Sequence, residues 1–193
     1  MITGILLAAG AGKRFGGGKL KQVLPNGLAI CVASARNLAA AVDQVIAVVR
    51  PGDQATLDLL SSEPNIKVVI CERAEEGMGH SLAAAVAASP TDTHWIIALG
   101  DMPLIKPDTI RAVAGAIELG AAFAMPQHNG QRGHPVGIHS RSRADLLALE
   151  GDAGARAIIA VNKNDVQLIA TNDSGVLVDV DTVTDFRKIS ARP

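Results

Sequence analysis

Short apolar runs, each closed by glycine, proline or an acidic residue, alternate along this chain with longer stretches rich in alanine and leucine. That alternation is the pattern of strands wound with helices into an open, largely parallel sheet. It predicts strands over 4–8, 45–49, 67–71, 94–99, 121–125, 135–139, 166–170 and 176–180. Helices are expected over 28–41, 54–60, 81–88, 108–119, 142–149 and 153–161, with a last one starting at Thr182. Pro107 suits a first helical position and Gly120 a stop, which brackets the 108–119 helix. Residues 127–133 read as a polar loop. With 193 residues and no repeat or low-complexity linker, one core and one domain over 1–193 are expected. The fold class is α/β: a three-layer α/β/α domain with a Rossmann-like, doubly wound, mostly parallel sheet.

Composition narrows the partners. Hydrophobic residues make up 48% of the chain and aromatics 2%, so Ala, Val, Ile and Leu must fill the core and few rings are left to stack on bases. A net charge of -1 provides no field for a polyanion, so no nucleic-acid partner is expected. Cys31 and Cys71 have neither CxxC spacing nor a disulfide framework and read as buried thiols. The N-terminus lacks a basic leader, and no segment approaches the roughly 20 apolar residues of a membrane span. A cytoplasmic protein without a membrane partner is the expectation.

The first strand runs into LAAGAGKRFGGGK, residues 7–19, where five glycines accompany Lys13, Arg14 and Lys19. Exposed backbone amides and cationic side chains converging behind a buried strand make an anion site. The P-loop template fails, because Lys19 lacks a glycine six residues upstream and Leu20 stands where a metal-binding hydroxyl would be. The dinucleotide fingerprint fails too: Gly10, Gly12 and Gly16 are spaced G-x-G-x-x-x-G, and no acid closes the second strand at Val49. A second feature is Asp101, delivered to a sheet edge by the apolar run 94–99. It reads either as a metal ligand or as a helix-capping turn residue. The histidines at 128, 134 and 139 lack a helical pair and cysteine support, which argues against zinc.

The string LAAG-x-G-x-R-x-G-x-x-K at 7–19 resembles the opening signature of sugar-phosphate and cofactor nucleotidyltransferases. Within that superfamily, GMGHSL at 77–82, LGDMP at 99–103, GHP at 133–135, GDAGAR at 151–156 and DVDT at 179–182 resemble the molybdenum cofactor cytidylyltransferases. The residues at 21–24 and the scarcity of aromatics depart from the family's usual pattern.

The resemblance implies that the terminal phosphate of molybdopterin attacks the α-phosphorus of CTP, giving a cytosine dinucleotide and pyrophosphate. A phosphate monoester has a second pKa of about 6 and needs no strong base at neutral pH. Arg14, Lys19 and Asp101 are then the implied catalytic residues, with Leu7, Ala8, Ala9, Gly10, Gly12, Gly79 and Ser81 joining Arg14 and Lys19 around the nucleotide. Ser81 also reads as a helix N-cap, and the two roles can coexist. Ala9 favours cytosine, since related guanylyltransferases carry LAGG. Mg2+, with Mn2+ as a substitute, would be held by Asp101 and Asp181, or by Asp179 in place of Asp181. His134, Asp152 and Arg156 fall on the acceptor side, within a lobe over 127–165; Arg156 reads equally as a surface arginine. A recipient molybdoenzyme would be a further partner. The competing readings are a related transferase using GTP or a sugar-phosphate acceptor, a non-catalytic nucleotide-sensing or cofactor-delivery module, and a nicotinamide-dependent oxidoreductase.

Overall fold

In the computed structural model, which describes residues 1–191, strand β1 (Ile2–Leu7) sends Ile2 and Leu6 to one face of the sheet and Ile5 to the other. The same period of two runs through β2 (Gln44–Val49), with Val45, Ala47 and Val49 on the first face and Ile46 and Val48 on the second. Strands buried on both faces have no polar side, which is why they read as continuous apolar runs. Helices α1 (Ile30–Ala39), α2 (Gln54–Ser61), α4 (Pro107–Glu118) and α7 (Val183–Ser190) cover the first face through Leu38, Leu60, Ile117 and Ile189. The second is covered by α3 (Met78–Ala88), α5 (Arg143–Leu147) and α6 (Ala155–Val161), through Leu82, Leu146 and Ile158. The expected three layers are present.

The remaining strands are β3 (Ile66–Ile70), β4 (His94–Leu99), β5 (Phe123–His128), β6 (Gln131–Arg132), β7 (Val136–Ile138) and β8 (Val166–Ala170). Their order is β3-β2-β1-β4-β7-β5-β6, with β8 paired to β5. The pairs β1–β2, β2–β3, β1–β4 and β5–β8 are parallel, and β7 is antiparallel to both β4 and β5. The chain winds outward from β1 to β3 and then crosses to β4 on the other side of β1. Winding therefore reverses between β1 and β4, and open α/β sheets place ligands in the crevice at such a point.

Three expectations need correction. The 127–133 loop is largely a hairpin: β5 runs to His128, and Asn129 and Gly130 turn at φ 49° and 80° into β6. Two successive positive φ values make the tight turn that suits strand twist, and Asn-Gly is its usual sequence. The 176–180 strand is absent. Its first residues form a 3-10 turn, Ser174–Leu177, because buried Asp173 accepts from the Gly175 amide (3.0 Å), the Lys106 amide (2.8 Å) and the Thr109 hydroxyl (2.9 Å). Residues 127–165 do not stand apart as a lobe: they supply β6 and the inner strand β7 to the same sheet, and α5 and α6 to its second face.

Cys31 and Cys71 are buried as expected, and burial pushes the Cys31 thiol up to about 11. At the opposite end of β4 from Leu99, the rings of His94 and His139 lie 4.3 Å apart. Their Nδ1 atoms accept the backbone amides of Ser140 (3.1 Å) and Arg141 (3.2 Å), so both imidazoles are held neutral. Burial, then the mutual charge and the chain's N-terminus, hold His94 below its ordinary value; burial and then Arg141 do the same for His139. The unfolded chain therefore takes up protons first, at about pH 6.5, so this contribution to stability is present above that pH and is lost as pH falls through it. Urea unfolding should show stability declining between about pH 7 and 5, with a flatter decline in the His94→Gln/His139→Gln double variant. An unchanged slope in the double variant would remove the pair as its source.

Candidate functional site

The glycine loop leaves β1 at Leu7, beside the end of β4, and is tied down at its base: Ala8 donates to Val48 O (2.9 Å) and Gly100 to Leu7 O (2.9 Å). Gly12, Gly16, Gly17 and Gly18 all have positive φ, a conformation that a Cβ disfavours. Hydrogen bonds from Phe15 and Gly17 to Gly12 O close the loop (3.0 and 3.2 Å), and Phe15 meets Phe186 of α7 edge to face at 6.3 Å. The amides of Gly10, Ala11 and Gly12 donate to no acceptor among the described residues, and a Cβ at Gly10 would meet nothing within 4 Å. Such amides, with room beside them, could accept an anion.

Below the loop lies a charge cluster assembled from three distant segments. Lys19 Nζ stands 2.6 Å from Asp101 Oδ2 and 3.2 Å from Asp181 Oδ1, and Arg14 is 2.8 Å from Asp181 Oδ2. The 179–181 segment is held there by Val180 N donating to Asp101 O (3.0 Å), and the Thr182–Asp185 capping box starts α7 immediately after. Burial pulls the Lys19 ammonium down, but the hydrogen bond and charge of Asp101, followed by those of Asp181, leave it above its ordinary value. Arg14 is 75% exposed, so its ion pair is screened and the side chain can turn to another anion. Burial and then the Asp181 charge raise Asp179, which pairs with neither cation among the described residues. Of the two aspartates, Asp181 is the one that shares Lys19 with Asp101.

Asp101 Oδ1 is buried with no hydrogen-bond partner. A carboxylate oxygen left in that state, beside a second carboxylate, fits a hard divalent cation of the Mg2+ type. Among the described residues no group of three or more His, Cys, Asp or Glu forms a metal cage. Two carboxylates with the remaining positions supplied by phosphate and water are what such a cation ordinarily takes.

The residues expected on the acceptor side, His134, Asp152 and Arg156, are placed less tightly. His134 is half-buried; its amide donates to Val176 O (3.0 Å) and its Nδ1 has no partner. Burial holds the ring below its ordinary value, opposed by the charge of Asp101, while Arg156 acts in the same direction as burial. His134 therefore lies within electrostatic reach of both. Asp152 and Arg156 are exposed around the start of α6.

Of the residues expected around the nucleotide, Ser81 is buried inside α3 and is not its N-cap, which is Gly77, contrary to the capping expectation. Gly79 donates its amide to Gly151 O (2.7 Å), and a Cβ there would lie 2.8 Å from Glu150 O. Its lack of a side chain admits that neighbouring backbone. His80 was passed over within GMGHSL, yet its Nε2 accepts from the Gly151 amide at 3.2 Å. No local signal could have exposed a contact spanning 71 positions.

The family described as MobA-like NTP transferase domain matches residues 4–168. The chain is 32% identical over 197 aligned positions to nicotine blue oxidoreductase of Paenarthrobacter nicotinovorans, covering 97% of this chain and 96% of that protein. It is similar to the crystal structure of Rv0371c from Mycobacterium tuberculosis, with a TM-score of 0.87 at 26% identity, covering 99% of this chain and 97% of that one. Rv0371c has also been solved in complex with manganese; the chain resembles that structure with a TM-score of 0.79 at 25% identity, covering 100% of this chain and 99% of that one.

Proposed function

The chain belongs to the family of MobA-like NTP transferase domains, and from that premise we propose that it transfers a cytidylyl group from CTP to the terminal phosphate of molybdopterin, releasing pyrophosphate. The observation that carries the reading is the cluster of Arg14, Lys19, Asp101 and Asp181 beneath the free amides of the glycine loop. An acceptor phosphate oxygen forms a bond to the α-phosphorus, the bond from that phosphorus to the bridging oxygen breaks, and pyrophosphate leaves with the electron pair. The acceptor is already mostly dianionic at neutral pH, so no side chain has to remove a proton. What remains is to align two anions and neutralise their charge.

The loop amides and Arg14 would receive triphosphate oxygens, and Lys19 would move from its carboxylates to the charge that develops on the leaving pyrophosphate. Asp101 and Asp181 would hold Mg2+ or Mn2+, which supplies charge neutralisation at phosphate oxygens; the manganese complex of Rv0371c supports divalent metal use. Gly79, Ser81 and Ala9 flank the base and ribose side, with Ala9 favouring cytosine. His134, Asp152 and Arg156 face the acceptor. No helix among the described residues is long and apolar enough to cross a membrane. A cytoplasmic setting and a recipient molybdoenzyme complete the proposal.

The test is pyrophosphate release from purified protein with Mg2+, comparing CTP with GTP and molybdopterin with a sugar phosphate. Release with CTP and molybdopterin is expected. Release with GTP alone, or with a sugar phosphate alone, would replace the donor or the acceptor. Nucleotide binding without turnover would favour a delivery module. The oxidoreductase name of the Paenarthrobacter relative makes nicotinamide binding worth measuring by calorimetry, and none is expected because the loop spacing departs from the dinucleotide fingerprint.

A further inference from the structure

The first turn of α3 and the turn that precedes α6 are stitched together. Gly79 donates to Gly151 O at 2.7 Å, and Gly151 donates back to His80 Nε2 at 3.2 Å. The backbones approach so closely that a Cβ on Gly77 would fall 2.1 Å from the Gly151 carbonyl carbon. One turn further on, a Cβ on Gly154 would lie 3.1 Å from Met78 Sδ. His80 is 8% exposed and accepts through Nε2. Glu76 Oε2 lies 3.6 Å from the same nitrogen but is paired with Arg73 at 2.7 Å, which leaves Nε2 to the Gly151 amide.

This contact joins the two halves of the site. The α3 end belongs to the nucleotide-side segment, whereas the Gly151 turn leads directly into α6, whose second residue is Arg156. Arg156 and Asp101 both lie within electrostatic reach of His134. Exposed and without a salt bridge among the described residues, Arg156 depends on the turn before it for its position. We infer that His80 is a positioning residue: by accepting the Gly151 amide it fixes the start of α6, and with it Arg156, at a set distance from the nucleotide segment. The catalytic consequence rests on the transferase reading above; the mechanical one does not.

Three full-length proteins decide it: the original chain, His80→Leu and His80→Gln. Leucine fills the volume without an acceptor, while glutamine offers an oxygen near the Nε2 position. A net hydrogen bond of about 1 kcal/mol corresponds to roughly a fivefold change. Hydrogen exchange of the amides at 151–156 should therefore quicken about fivefold in His80→Leu, with α4 and the central strands unchanged, and return in His80→Gln. The acceptor KM should rise by a similar factor in His80→Leu while the nucleotide KM and kcat stay within about twofold, with glutamine restoring it.

Unchanged exchange at 151–156, or quickened exchange with an unmoved acceptor KM, would overturn the positioning role. A uniform quickening across the chain would reduce His80 to a packing residue and also overturn it. If the original chain transfers nucleotide to no phosphorylated acceptor, the transferase reading falls; local loosening in His80→Leu would then still uphold the link between α3 and α6.

Discussion

Asp101→Asn is expected to lower kcat for pyrophosphate release by about a thousandfold while leaving the fold in place. The substitution conserves volume and the backbone carbonyl that accepts from Val180, so the 179–181 segment stays docked. What it removes is the charge 2.6 Å from Lys19 and the unpartnered oxygen that suits a divalent cation. In a site whose chemistry is the neutralisation of crowded phosphates, loss of one carboxylate acts directly on the transition state. The expected pattern is a lowered kcat with a Tm within a few degrees of the original, read by steady-state kinetics and circular dichroism. Turnover within tenfold of the original would remove Asp101 from the reaction.

Lys19→Met should produce two effects of opposite sign: turnover falls about a hundredfold, and Mn2+ binds more tightly in the absence of nucleotide. Lys19 Nζ bridges Asp101 and Asp181, the carboxylates that fit the cation, so lysine and metal compete for the same oxygens. Two unit charges 4 Å apart interact by about 1 kcal/mol in water and about 4 kcal/mol near a protein surface. Both carboxylates are partly open to solvent, which favours the lower end, and 1.4 kcal/mol is a factor of ten. Mn2+ should therefore bind about tenfold more tightly to Lys19→Met, as read by titration of the free-ion paramagnetic resonance signal. Equal affinity would mean that Lys19 does not stand in for the cation. If neither protein bound Mn2+ even with CTP, the metal assignment itself would fail.

The two effects together give Lys19 a double role. With no phosphate present it neutralises the carboxylates, and a triphosphate would draw it away and open them to metal. Nucleotide and metal should then each strengthen the other's binding, because each relieves the charge that opposes the other.

Much of this was legible in the chain itself. β4 was predicted at its observed ends, and it places Asp101 at the sheet edge because an apolar run closed by Gly100 and Asp101 has few other folds available. Arg14, Lys19, Asp101 and Asp181 are legible in the motif strings, and they meet within hydrogen-bond distance. The Asn129-Gly130 turn is also legible, because that pair favours the two positive φ values of a hairpin although the stretch around it is polar. The absent strand at 176–180 was not readable: alternating valines suit a strand, but the buried Asp173 carboxylate binds the Lys106 and Gly175 amides and turns the chain instead.

The sequence by itself determined the layered α/β class, the glycine-rich and cationic character of the turn after β1, and which residue types meet there. Those depend on period, on backbone conformation at glycine, and on charge, all of which are local. Only the tertiary structure decided which aspartate shares Lys19, that Gly79 spends its amide on Gly151, and that His80 joins α3 to the start of α6. Each of these is a contact between segments far apart in the chain, set by how two helices and three loops pack on one sheet edge, and no local pattern encodes such a distance.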